Sequence, residues 1–102
     1  MKLQVTSGRD SSTICAAGDL DIYNVEATRE RLLDHLADKA GLELDLAGVE
    51  TCDAAGLQLL VSARRSAVAG GKLFRILNPA PAVKQCGELL GVKPETWHSP
   101  DY

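Results

Sequence analysis

The segment Leu42-Glu43-Leu44-Asp45-Leu46-Ala47-Gly48-Val49-Glu50-Thr51-Cys52-Asp53-Ala54-Ala55-Gly56-Leu57-Gln58-Leu59-Leu60-Val61-Ser62-Ala63-Arg64-Arg65-Ser66-Ala67-Val68-Ala69-Gly70-Gly71 changes its hydrophobic period part-way along. Leu42, Leu44 and Leu46 alternate with acids, the period of a strand with its leucines on one face. Leu57, Leu60, Val61, Arg64 and Val68 fall at i, i+3, i+4, i+7 and i+11, the period of a helix. The Arg64 stem lies along the edge of that stripe. Ala47 to Cys52 carries the chain to Asp53, an acid placed to cap the orphan amides of a helix starting at Ala54. Gly70-Gly71 ends the helix. Lys72-Leu73-Phe74-Arg75-Ile76-Leu77 reads as the next strand, apolar on both faces except at Arg75. A strand, a helix and a strand in succession imply parallel pairing through a crossover.

Working outward, Leu3, Val5 and Ser7 alternate with polar neighbours, and Thr13–Ala17 is short, apolar and partly β-branched. The turn-like Arg9-Asp10-Ser11-Ser12 between them predicts an antiparallel hairpin. Gly18 breaks the second run, and Asp19-Leu20-Asp21 leads into a loop. Asn24 is placed to cap a helix from Val25, with Val25, Thr28, Leu32, Leu36 and Ala40 buried and Gly41 as its stop. Beyond the fourth strand, Asn78-Pro79 reads as a cap with proline in the first helical turn. Val83, Cys86, Leu89 and Leu90 then form the apolar side of a third helix, closed by Gly91. Lys93–Trp97 fits an edge strand or a packed tail, and the last residues to Tyr102 fit a frayed end. The predicted order is β-β-α-β-α-β-α over residues 1–102: an α/β domain with a mixed four- to five-stranded sheet. Its expected core is Val5, Ile14, Leu32, Leu36, Leu44, Leu46, Leu57, Leu60, Val61, Leu73, Ile76, Val83 and Leu90.

With 102 residues, 45% of them apolar, the chain can bury one real core. Fourteen acids against 11 bases give a net charge of −3, the wrong sign for a phosphate-backbone partner. Arg64-Arg65 is too small for a nucleic-acid stripe. Cys15, Cys52 and Cys86 are odd in number and widely spaced, with no CxxC. Reduced, mostly buried thiols are expected, and no zinc site or disulfide framework. No basic-then-apolar leader precedes the first strand, and no apolar run approaches membrane-spanning length. A cytoplasmic protein without direct membrane insertion is the expectation.

Asp19, Asp21, Asp45 and Asp53 stand near predicted strand ends, the usual place for sites in an open α/β sheet. A carboxylate pair there fits magnesium binding or acid/base work, yet capping and turn roles explain the same acids. No glycine-rich phosphate loop opens a helix, and His35 and His98 are far from these acids in sequence. No catalytic residue, metal or cofactor is therefore assigned. Gly56 sits one turn into a helix, where glycine costs about 1 kcal/mol relative to alanine. Together with Ala54 and Ala55 it leaves a helix start almost bare of side chains. That fits an approaching partner or anion, or a tight internal packing point.

The words Gly18-Asp19-Leu20-Asp21, Leu44-Asp45-Leu46-Ala47-Gly48-Val49, Asp53-Ala54-Ala55-Gly56-Leu57, Gly70-Gly71-Lys72 and Asn78-Pro79-Ala80-Pro81-Ala82-Val83 occur in one order and spacing. Together they resemble the STAS domain family, the sulfate-transporter and anti-sigma-factor-antagonist domains, in its small free-standing bacterial form. The resemblance runs from about Leu3 to Val92. It implies a mixed sheet with helices mainly on one side, and a non-enzymatic regulator. Such regulators bind a serine kinase that also restrains a sigma factor or another client.

The resemblance also implies a partner-binding surface at Asp21, Asp53, Ala54, Ala55 and Gly56. In the family the kinase phosphorylates a Ser or Thr just after the aspartate that opens the second long helix. The added charge of about −1.5 to −2 ends binding. Here that position is Ala54, which has no hydroxyl, and Ala55 has none either. A constitutive binder, control exercised elsewhere, or an engineered replacement of a natural Ser or Thr each fit. Thr51 and Ser62 carry hydroxyls away from the matching place. The alternative role that the resemblance implies is a cytoplasmic accessory subunit of a lipid or anion transporter.

Overall fold

The structure, a computed structural model, describes residues 1–7, 11–38 and 41–93. Its elements are β1 (Lys2–Ser7), β2 (Ser11–Leu20), α1 (Val25–Asp38), β3 (Gly41–Cys52), α2 (Ala54–Ala69), β4 (Leu73–Leu77) and α3 (Pro81–Leu90). The sheet is mixed, and its strands lie in chain order, β1-β2-β3-β4. The first pair is antiparallel, with Val5 opposite Ile14. The next two are parallel, with Ile14 opposite Leu44 and Leu44 opposite Ile76. One row therefore crosses the sheet as Val5, Ile14, Leu44 and Ile76, and the last three are buried.

The neighbouring row on the other face is Thr6, Thr13, Glu43 and Arg75. Its groups bond to each other in solvent: Thr13 Oγ1 donates to Glu43 Oε1 at 3.2 Å, and Arg75 Nη1 pairs with Glu43 Oε2 at 3.4 Å. The sheet is thus apolar on one face and polar on the other, as period-2 patterning dictates. The buried helix residues Leu32, Leu36, Leu57, Leu60 and Val83 form one cluster with the apolar sheet face.

Several sequence expectations are corrected. Gly18 does not end β2. It has φ +105°, a value that favours glycine, and the strand runs on to Leu20. β3 likewise runs from Gly41 to Cys52, beyond the expected end at Leu46. Between Cys15 and Ala17 of β2, three steps of β3 are taken, from Asp45 to Gly48; a second extra residue falls between Val49 and Thr51. Each bulge resets the alternation, so Leu46 and Val49 both point inward although three residues apart. Gly41 is the first residue of β3 rather than the stop of α1, which ends at Asp38. Ala40 and the proposed strand or tail from 94 onward lie outside the described residues.

In α2 the buried face is Gly56, Leu57, Leu59, Leu60, Ala63 and Ala67. Small residues bring the helix against the sheet, so Val61 and Arg64 are left at the margin and Val68 is exposed. α3 starts at Pro81, with Ala80 as its N-cap, and not at Pro79. Asn78 takes a left-handed conformation, φ 47°, which asparagine tolerates, and its side chain bonds to Asp45 Oδ2 at 3.2 Å. α3 buries Val83 and Gly87 but leaves Leu89 and Leu90 exposed. Leu73 is also outside the core, because it alternates with inward-facing Phe74 on the edge strand. Val5 is half-buried. Phe74, Leu20, Leu42 and Leu59 take the vacated places in the core.

Leu60 is 1% exposed. Leu60→Ala should lose about 2–5 kcal/mol of stability, whereas Leu73→Ala, on the solvent face, should lose less than about 1 kcal/mol. Urea denaturation of the two variants checks this, and similar losses would contradict the facing assigned to β4.

Candidate functional site

β2 and β3 run parallel, so their carboxyl ends and the starts of α1 and α2 meet at one end of the sheet. Asp53 is the hinge of this end. Its backbone is extended, its Oδ1 accepts from Gly56 N at 2.8 Å, and its amide donates to the Leu20 carbonyl at 3.2 Å. The expected N-cap is therefore present. The second oxygen does more: Oδ2 accepts from Ile22 N at 3.1 Å, tying the β2–α1 loop to the start of α2.

That loop holds itself with its own polar groups. Asp21 Oδ1 accepts from Tyr23 N at 3.1 Å and from Asn24 Nδ2 at 3.0 Å. Asn24 Nδ2 also reaches the Asp19 carbonyl at 2.9 Å. Asn24 does stand at the cap position, since its carbonyl accepts the Thr28 amide at 3.0 Å. Its side-chain oxygen, however, accepts from the Met1 ammonium at 3.3 Å. Thr51 Oγ1 donates to Asp19 Oδ1 at 2.8 Å.

Of the four acids singled out from sequence, Asp19, Asp21 and Asp53 thus gather at one end. Asp45 is elsewhere: its carboxylate accepts from Ala47 N and Asn78 Nδ2 on the open sheet face. Each acid is occupied by turn, cap or strand-end bonds. Among the described residues no group of three or more His, Cys, Asp or Glu is placed to hold a metal ion.

Gly56 resolves to the internal packing alternative. A Cβ there would lie 2.0 Å from the Leu20 carbonyl oxygen, so the helix can approach β2 only through a bare Cα. Ala54 is exposed, and Ala55 and Asp53 are half-exposed. The loop tied to Asp53 carries Ile22, 63% exposed, and Tyr23, 92% exposed. A groove of about 480 Å³ runs between the β3–α2 junction and α3, lined by Cys52, Asp53, Ala54, Cys86, Leu89 and Leu90 among others. Leu89 is 87% exposed. Sequence reasoning missed these four apolar residues. Leu89 and Leu90 read as core by period, and Ile22-Tyr23 sits in a short turn without periodicity.

The Cys52 thiol is pushed up to about 12, chiefly by burial, then by the neighbouring Cys86 and by Asp53.

The family model described as "Mlab, STAS domain" matches residues 3–94. The chain belongs to the STAS domain family. The solved structures agree with this STAS assignment at the level of fold. The unphosphorylated form of the anti-sigma factor antagonist SpoIIAA is similar at TM-score 0.77 and 20% identity, over 98% of this chain and 90% of that one. An anti-sigma factor antagonist from Mycobacterium paratuberculosis is similar at 0.76 and 22% identity, over 88% and 77%. A serine-to-glutamate form of RsbS from Moorella thermoacetica is similar at 0.77 and 21% identity, over 96% and 85%. Among the described residues the STAS chain here has a four-stranded mixed sheet with three helices. No helix among its described residues is long and apolar enough to cross a membrane.

The Leu20–Gly56 contact predicts a steep local penalty. Gly56→Ala should cost about 3 kcal/mol or more, because backbone and not a flexible side chain blocks the methyl group. Ala55→Gly, at a half-exposed helix position, should cost about 1 kcal/mol or less. Thermal melts of both variants measure the contrast.

Proposed function

We propose that this protein is a regulatory binding module, not an enzyme, that docks on a protein partner through the start of α2 in the manner of an anti-sigma factor antagonist. The observation that carries this reading is the exposed Ala54, which shares a groove with the exposed Leu89 and Leu90 of α3 and follows Asp53, to which the loop bearing exposed Ile22 and Tyr23 is tied. Exposed apolar side chains around a small, flat centre suit a protein contact, since they gain by leaving water and the centre admits a close approach. The acids nearby are already bonded as caps and turns, which supports binding over catalysis. The partner on this reading is a serine kinase-type anti-sigma factor or a related signalling protein, met in the cytoplasm. Asp21 and Asp53 shape the surface from beneath, Ala54 and Ala55 form its centre, and Gly56 lets α2 sit close enough to β2 for the loop to reach it.

Ala54 has no oxygen to accept a phosphoryl group, so the usual negative switch does not operate at that position. The kinase binds and leaves Ala54 unmodified. Ala54→Ser should bind about as well, and with an active kinase it should gain a phosphate.

Ala54→Glu is the deciding variant. An acid in the first turn favours the helix dipole by about 0.3–1 kcal/mol, so the fold survives, as circular dichroism would verify. Its bulk and charge at the centre should weaken partner binding at least tenfold, about 1.4 kcal/mol, in titration calorimetry against the copurified partner. Unchanged affinity would remove the α2 start from the interface. Copurification with permease and ATPase components, in place of a kinase, would replace the antagonist reading by the transporter-accessory one.

A further inference from the structure

Cys52 ends β3 and Cys86 sits in the middle of α3, far apart in sequence, yet both line the groove beside Ala54. Both are free thiols and half-buried, so a small solute can reach them. Cys86 stands near enough to Cys52 across this groove to add to the rise of its thiol that burial causes. The Cys52 thiol also reaches the Asp53 carbonyl at 3.6 Å. Cys15 is on β2, exposed on the opposite face of the sheet, and lines a different pocket with Gln4 and Asp45. Of the three cysteines, two are paired in space and one stands apart.

We propose that Cys52 and Cys86 form a reversible redox pair, oxidised by hydroperoxide to an intramolecular disulfide across this groove. This stands independently of the docking function proposed above. Oxidation begins at Cys86, because Cys52 holds its proton well above neutral pH. The Cys86 thiolate attacks one peroxide oxygen, the O–O bond breaks, and hydroxide leaves and is protonated to water. Cys86 is then a neutral sulfenic acid.

Cys52 takes the second step. Its sulfur attacks the Cys86 sulfur, the S–O bond breaks, and the departing hydroxide takes a proton to leave as water. Two thiols and one peroxide become one disulfide and two waters. The sulfurs are oxidised and the peroxide is reduced. A dithiol reductant reverses the bond by exchange.

The test uses the full chain, reduced, desalted and treated with stoichiometric hydrogen peroxide. Remaining thiols are then alkylated and peptides mapped by mass spectrometry without reductant. The expected result is a Cys52–Cys86 cross-linked peptide with Cys15 alkylated, reversed by dithiothreitol. In Cys86→Ser the cross-link should vanish and Cys52 should stay alkylatable. In Cys52→Ser, Cys86 should stop at sulfenic acid, trapped by a dimedone probe, or proceed to sulfinic acid. Circular dichroism shows that each variant is folded. Recovery of Cys52 and Cys86 as separate alkylated or over-oxidised residues in the parent chain would overturn the proposal. So would cross-links that run mainly through Cys15.

Discussion

The carboxylate of Asp53 carries the architecture of this end of the molecule. One oxygen closes the first turn of α2 through the Gly56 amide, and the other holds the Ile22 amide of the β2–α1 loop. The backbone amide of the same residue bonds to the Leu20 carbonyl. Three anchors on one residue fix where β2 ends, where α2 begins and where the loop between β2 and α1 lies. The arrangement depends on a negative condition as well: nothing can stand at the Cβ position of Gly56, because the Leu20 carbonyl occupies it. Aspartate and glycine thus act as a unit. The first supplies two acceptors at a cap, and the second supplies the missing volume that lets the capped helix come within reach.

The framework was legible in the sequence because most of it obeys simple periods. The strand at Leu42–Leu46, the helix from Ala54 and the hairpin at the start all follow from alternation or helical spacing, and the order of elements follows from them. What was not legible depends on departures from period. The bulges at Ala47-Gly48 and near Glu50 shift the inward phase of β3, so a residue-by-residue reading ends the strand too early. The true inner face of α2 is built on Gly56, Ala63 and Ala67. Close packing of a helix on a sheet selects small residues, and a search for large apolar ones rotates the face.

The site divides in the same way. Asp53 as a cap was readable from its place before an apolar helix. Its second bond, to Ile22, joins residues 31 apart and has no local signal. Leu89 and Leu90 satisfy the helical stripe of α3 yet face water, because the helix lies on Val83 and Gly87 and turns its last residues past the sheet. β4 has ended by then: its last residue, Leu77, pairs with Asp45, and β3 continues seven residues beyond that level to Cys52. β1 stops as well, at Lys2 opposite Ala17, so only β2 and β3 are paired at the level of Cys52, and α3 packs on β3.

The surface around Ala54 is assembled from three stretches of chain, at residues 21–24, 51–56 and 82–90, brought together only by parallel strands and the helices that cross between them. Parallel pairing joins residues distant in sequence and forms late, since the loops must close before the contacts reward them. An isolated stretch, or a chain still emerging from synthesis, presents none of this surface. A nascent copy released with α3 unformed lacks one wall of the groove. On the docking proposed above, recognition at Ala54 would double as a proofreading step: a partner that reads all three stretches at once would pass over immature or damaged copies, so the count of competent molecules would follow completed folding rather than the amount of polypeptide made.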